Sequence, residues 1–455
     1  MARPIRGFMS AMALTALVAA ACGNSPQGDT SEPGRDPGPE DRVDLASEAD
    51  RDTFEPISGV PGVTDDAITF DVIGVRSNNP LGICILDCYL EGIEAYFAYR
   101  NSEGGIYGRE LRVGRALDDE LAQNQARSLE VASSNEAFGV FSAPLVASGF
   151  AALDSAGVPT FSWGIHGTEA TGRRAIFPSR PPQCGDCTFR AVPYAAQLAG
   201  ATQVASLGYG SSENSKDCAN AVAASIDRYG DALGLEVAYA NDSLALGLPN
   251  GIAPEVTAMK RAGVDFISLC LDLNGAKTLA QELARQGMGD VPMFHPNSYD
   301  HRFVAEAGGL FDGDFVVAQF TPFEAERSGA LGAFLTWMEE QGAEPTELAM
   351  VGWINADAAF TSLLAAGPQF DRERAIAAMN SITDYDAGGL VEPIDWTRDH
   401  TPPALDEAGD RECVALVRVV DGDFELAAAP PDRPWMCWEG DPDEWSDPEP
   451  TAFGP

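Results

Sequence analysis

Few residues in this 455-residue chain have the types and spacing for covalent chemistry. Asp118 and Asp119 make an adjacent carboxylate pair, which suggests acid–base work. Neighbours along a strand point to opposite faces, however, and one of such a pair more readily caps the helix that follows. Cys184-Gly-Asp-Cys187 has the spacing of a redox dithiol or of half a zinc site. It has no second copy, and the only histidines are His166, His295, His301 and His400, so a structural disulfide is expected and no metal or cofactor. The sequence contains no Gly-x-Ser-x-Gly elbow, no Walker loop and no HExxH. An enzyme is therefore not expected. What remains is a set of hydroxyl, amide, aromatic and single acidic side chains suited to binding.

These residues share one position, the carboxyl end of an apolar run ahead of a helix. Ile68 to Val75 reads as a strand ending in Arg76-Ser77-Asn78-Asn79-Pro80. Phe138 to Phe141 ends in Ser142-Ala143-Pro144, and the next strand ends in Ser162-Trp163-Gly164. Gln203 to Leu207 runs into Gly208-Tyr209, Val264 to Leu271 into Asp272-Leu-Asn274, and Val291 to His295 into Pro296-Asn297-Ser298-Tyr299. Open α/β sheets bind ligands at such strand ends, and free N–H groups at the helix start after Val75 favour an anion there. The strand–helix rhythm occurs twice without sequence repetition. It predicts an α/β fold of two doubly wound lobes, one starting at about residue 66 and the other at about residue 186.

The ends differ from this middle. Residues 1–22 read as an export signal, with Arg3 and Arg6 ahead of an apolar run too short to stay in a bilayer. No later segment is read as apolar enough to cross a membrane. Residues 23–65 are rich in Pro, Gly, Asp and Glu and are expected to form a disordered tether, and residues 439–455 a second acidic, mobile tail. The formal charge of -40 argues against nucleic acid and anionic membrane surfaces as partners. Of nine cysteines, Cys22 stands alone. The positions of the rest suggest local pairs, Cys84 with Cys88, Cys184 with Cys187, Cys218 with Cys270 and Cys413 with Cys437, although sequence alone leaves connectivity open.

One stretch connects the first helix to the second strand: Asn101-Ser-Glu-Gly-Gly-Ile-Tyr-Gly-Arg109, then Leu111 and Val113, then Asp118-Asp119. An exit through Asn-x-x-Gly-Gly-Ile-x-Gly-Arg into a strand ending Asp-Asp resembles the first βαβ unit of type I periplasmic solute-binding proteins. The branched-chain amino acid and amide binders of ABC importers are the nearest group. Trp396-Thr-Arg-Asp-His400 and the turn at Asp421-Gly422 resemble the end of the same family, so the likeness covers about Ala67 to Ala428. Ala19-Ala20-Ala21-Cys22-Gly23 resembles a lipobox, with Ala19 where Leu is usual. The resemblance implies two lobes, residues 66–185 with about 323–400 and residues 186–322 with about 401–438, joined by a multi-strand hinge that closes on a small ligand, an amino acid or amide. Ser142, Ala143, Pro144, Ser162 and Trp163 would hold a carboxylate, and Tyr209 would cover the ligand. Asp272 would pair with an ammonium group, or Asn274 would take its place for an uncharged ligand. Ser77, Asn78, His295 and Tyr299 would add contacts. It further implies an ABC permease as partner, a lipid on Cys22 anchoring the chain to the outer face of the membrane, and a monomer. A ligand-sensing module and an exported enzyme are the alternatives.

Overall fold

The structure, a computed structural model, describes residues 51–80, 83–180, 187–398, 400 and 411–454. The expected leader, Cys22, residues 23–50 of the tether and Cys184 lie outside the described residues.

The apolar run after residue 66 forms β1 (Ala67–Gly74), where Phe70, Val72 and Ile73 are fully buried. There follow α1 (Leu86–Ser102), β2 (Glu110–Asp118), α2 (Asn124–Ser134), β3 (Gly139–Ala143), α3 (Phe150–Ser155), β4 (Thr160–Ser162), α4 (Gly167–Ala170) and β5 (Ile176–Pro178). The strands form a parallel five-stranded sheet in the order β2-β1-β3-β4-β5, as crossovers through helices require. The rhythm then restarts with α5 (Ala191–Ala199), β6 (Gln203–Tyr209), α6 (Glu213–Leu233), β7 (Glu236–Leu244), α7 (Ala253–Ala262), β8 (Phe266–Cys270), α8 (Leu273–Arg285), β9 (Met293–His295), α9 (His301–Ala307) and β10 (Phe315–Ala318). After α10 (Gly329–Gln341), α11 (Glu347–Ala366) and α12 (Arg372–Met379), the chain ends in β11 (Glu412–Val420), β12 (Asp423–Leu426), β13 (Trp435–Trp438) and β14 (Glu449–Thr451). The second sheet runs β14-β13-β11-β10-β9-β8-β6-β7, with β12 on β11. Strands β6 to β10 pair in parallel, and β11, β13 and β14 add to that sheet antiparallel. The architecture is thus two α/β lobes with several chain crossings between them.

Helices α10 to α12 return to the first lobe, where α11 packs on α1. The approach is so close that a Cβ on Gly92 would stand 1.7 Å from the Ala349 carbonyl oxygen, and one on Gly352 2.2 Å from that of Tyr89. Helix α11 is buried over most of its surface, with Asn355 and Ser362 among its buried residues. By length and composition it is apolar enough to cross a membrane, contrary to the sequence expectation, but 83% of the qualifying window is buried as the core of the first lobe.

The glycine-rich stretch after α1 is a structural clamp. The Asn101 side chain both donates to Leu111 O and accepts from Leu111 N. Gly105 passes so near Arg109 that a Cβ would meet its carbonyl oxygen at 2.1 Å. Arg109, fully buried, donates to the carbonyls of Thr64, Tyr107 and Glu55.

Both expected tails are shorter than composition suggests. Residues 51–65 lie on the first lobe: Tyr107 N donates to Arg51 O, Phe54 covers the Arg109 guanidinium, and Ile57, Val60 and Val63 pack on the core. Residues 439–454 lie on the second lobe. Buried Arg190 donates to Asp441 O and Glu444 O, Trp445 packs on Trp438, and β14 joins the sheet edge. In each case a buried guanidinium fixes main-chain carbonyls, a bond that needs no apolar side chain in the captured segment. Disulfides join Cys84–Cys88, Cys218–Cys270 and Cys413–Cys437, and Cys187 is disulfide-bonded as well.

Candidate functional site

All strands of a parallel sheet end on one edge. In the first lobe that edge carries Arg76 to Pro80, Ser142 to Pro144, Ser162 to Gly164, and Ser179 with Arg180. Ser142 and Ser162 are direct register partners, and the ladder continues as Trp163 N donates to Ser142 O at 2.9 Å and Ser179 N to Ser162 O at 2.8 Å. The backbone is satisfied, but the side chains are not. Ser142 Oγ, Ser162 Oγ and Trp163 Nε1 are buried and have no hydrogen-bond partner in the protein. Leaving a buried donor unpaired costs about 1–3 kcal/mol. Three such groups at the ends of neighbouring strands can receive an acceptor brought from outside.

The loop after β1 behaves differently from the expectation. Arg76 N and Ser77 N both donate to the Asp118 carboxylate at 3.0 Å, so these N–H groups are already used. Burial opposes ionisation of Asp118, but hydrogen bonds from Ser77, Arg76 and Glu120 outweigh it and hold the carboxyl at about 2. Asp119 turns the other way, is fully buried, and accepts from Leu121 N and Asn124 Nδ2. The two carboxylates fold their own loops and do not act as a pair. Ser77 and Asn78 remain exposed.

In the second lobe, β6 and β8 place Tyr209 beside Asp272. Tyr209 OH donates to Asp272 Oδ2 at 3.4 Å, and Asp272 Oδ1 accepts from Gly275 N at 2.7 Å, capping α8. Burial, then the Asp272 charge, raises the Tyr209 phenol and keeps it protonated. Gly275 is required here, since a Cβ would fall 2.1 Å from Tyr209 OH. Asn274 Nδ2 donates to Pro80 O at 3.4 Å, a contact from one lobe to the other.

Two expected contacts belong to the interior. His295 is buried, with Nε2 2.9 Å from Asp314 Oδ2 and Nδ1 3.2 Å from Ser298 Oγ, so both ring nitrogens are engaged. Tyr299 OH donates to Glu324 and accepts from Phe323 N, and its ring packs against Phe320, Phe323 and Phe424. A three-residue strand such as β9 gives little alternation from which to tell the two faces apart. His166 is buried against Pro144 O, and His400 is buried between Ile176 O and Asn380 Oδ1.

Three residues at this edge have no signature in the sequence. Arg180 follows β5 and donates from Nε to Gly164 O at 2.8 Å. Gln319 follows β10, and Glu347 opens α11. Gln319 Nε2 donates to Glu347 Oε1 at 2.6 Å, joining a strand of one lobe to a helix of the other. Burial pushes Glu347 up to about 8, with Asp300 adding to the rise and Arg180 opposing it. A lone Arg at a strand exit and a Glu in a first helical turn read from sequence as loop and cap.

The first lobe carries unsatisfied donors at its strand ends, and the second lobe reaches that edge through Asn274. A family model described as periplasmic binding protein matches residues 85–423. The chain belongs to the periplasmic binding protein family. Many solved structures share the fold of this periplasmic binding protein. One is the branched-chain amino acid transporter substrate-binding protein LivJ from Streptococcus pneumoniae in complex with isoleucine, 16% identical over 79% of this chain and 98% of that one, TM-score 0.62. Another is a branched-chain amino acid ABC transporter protein from Thermus thermophilus with bound valine, 14% identical over 86% and 97%, TM-score 0.61. A third is a solute-binding protein from R. palustris in complex with 4-hydroxybenzoate, 18% identical over 83% and 98%, TM-score 0.61. No curated protein sequence matches the chain. Family membership implies an extracytoplasmic binding protein.

Proposed function

We propose that this periplasmic binding protein captures a small polar solute, an amino acid or amide, between its lobes and delivers it to an ABC importer, tethered to the outer face of the membrane through a lipid on Cys22. The observation that carries the reading is the set of unpaired buried donors, Ser142 Oγ, Ser162 Oγ and Trp163 Nε1, at the ends of β3 and β4. A ligand carboxylate or carbonyl supplies the acceptors these groups lack, and the Trp163 side chain adds an apolar surface. Tyr209, Asp272 and Asn274 approach from the second lobe, and Asn274 already touches the first. The bound amino acids and 4-hydroxybenzoate of the structural neighbours have the size and polarity this arrangement suits.

The test is a thermal-shift screen of the purified protein against amino acids, their amides, aromatic acids, polyamines and urea. A ligand at one thousand times its dissociation constant stabilises the folded state by about 4 kcal/mol. A clear rise in midpoint with at least one solute is expected. No rise with any of them would count against solute capture.

A further inference from the structure

The cleft edge also holds a cation that the donor set above does not use. Arg180 leaves β5 and lies across Gly164, where a Cβ would fall 2.4 Å from Arg180 Cγ, so the glycine makes room for the side chain. Among the described residues only Nε is tied down, to Gly164 O. Among the described residues no carboxylate comes within 4.0 Å of the guanidinium. Burial lowers this group from the usual arginine range to about 10, and Glu347 compensates only through space. Arg180 is half-buried, and among the described residues its two terminal nitrogens meet no protein acceptor, so the fork is open to an acceptor brought from outside. Opposite in character stands the Gln319–Glu347 pair, in which Gln319 Oε1 is buried and unpaired. The edge therefore shows a free donor charge next to Ser162 to Gly164, and a free acceptor where β10 meets α11.

We propose that Arg180 binds the carboxylate of the captured solute together with Ser162 and Trp163, and that Gln319 Oε1 accepts a hydrogen bond from a donor group at the solute's other end. This rests on the capture reading and narrows it: the solute is an organic anion or zwitterion whose charged carboxylate is required, and its amide is rejected. Arginine suits the task because its planar fork meets both carboxylate oxygens at once, which a lysine does not.

The test titrates matched acid and amide probes into the purified protein and into Arg180→Gln and Arg180→Lys: L-leucine and L-leucinamide, 4-methylpentanoate and its amide, 4-hydroxybenzoate and 4-hydroxybenzamide. At least one acid is expected to bind the wild type at least 100-fold more tightly than its amide. Arg180→Gln should lose at least 100-fold of that affinity, with Arg180→Lys in between. The thermal midpoint of ligand-free Arg180→Gln should be little changed, since the half-buried guanidinium makes a single hydrogen bond, to Gly164 O, among the described residues. An acid bound equally by wild type and Arg180→Gln would overturn the role of Arg180 and leave solute capture standing, as would amides bound as tightly as acids. A marked fall in the ligand-free midpoint of Arg180→Gln would make the residue structural and overturn the proposal. Binding of no probe at all would remove both the proposal and the amino acid reading.

Discussion

Arg109 Nη2 donates to the backbone carbonyl of Glu55 at 2.8 Å, and so holds the segment before the first strand on the body of the first lobe. The same guanidinium serves Thr64 O and Tyr107 O and lies 4.7 Å from the Phe54 ring centre. Replacing it removes three charge-assisted bonds and leaves the Tyr107 carbonyl buried without its donor. Arg109→Ala should therefore lower stability by about 3 kcal/mol in urea unfolding and make residues 51–65 sensitive to limited proteolysis. Wild-type resistance in the variant would show that the segment is held by other contacts.

The contact of α1 with α11 has no room for a methyl group at Gly352, where a Cβ would stand 2.2 Å from Tyr89 O. Gly352→Ala would normally favour a helix, yet here it should destabilise by about 3 kcal/mol. Denaturant midpoints of the two proteins decide the sign.

Cys218–Cys270 closes a sequence separation of 52 and ends beside Asp272, so it braces the second lobe at the cleft. Replacing both cysteines with alanine should cost about 4 kcal/mol by loss of chain constraint. Unfolding with and without reductant checks this, since the double variant should lose part of the wild type's response to reduction.

Glu347 gives stability a defined pH slope. Burial, with Asp300 adding, raises its carboxyl to about 8 from an ordinary 4.5, so the folded state holds a proton that the unfolded chain releases. Stability from this group is greatest below 4.5, falls as pH rises through 8 and is level above; the change is roughly 5 kcal/mol at most. Glu347→Gln should flatten urea unfolding measured between pH 5 and 9. An unchanged slope would assign the dependence elsewhere.

Much of the architecture can be read from the chain because each strand is a short apolar run with a polar end. The glycines that turn α1 into β2 and the local cysteine spacing are equally visible. The positions of Ser142, Ser162 and Tyr209 at strand ends follow from the same pattern. Whether a strand-end side chain faces a cleft or the sheet's own interior does not, which is why His295 and Tyr299 turned out to be interior residues. The acidic ends offered few apolar side chains, and nothing local signals that their carbonyls are bound by Arg109 and Arg190, far away in sequence. Arg180 and Gln319 sit at two separate crossings between the lobes, and Glu347 opens a helix that reaches them only in the folded chain.

Capture of a solute by the paired strand ends of the first lobe is the central claim. Calorimetric titration of the strongest ligand from the thermal screen into wild type and into the Ser142→Ala, Ser162→Ala double variant tests it most directly. One ligand should bind per chain, and the double variant should weaken binding at least 30-fold while unfolding at or above the wild-type midpoint, because two unpaired buried hydroxyls have been removed. Undiminished binding by the double variant would place the ligand elsewhere and contradict the account.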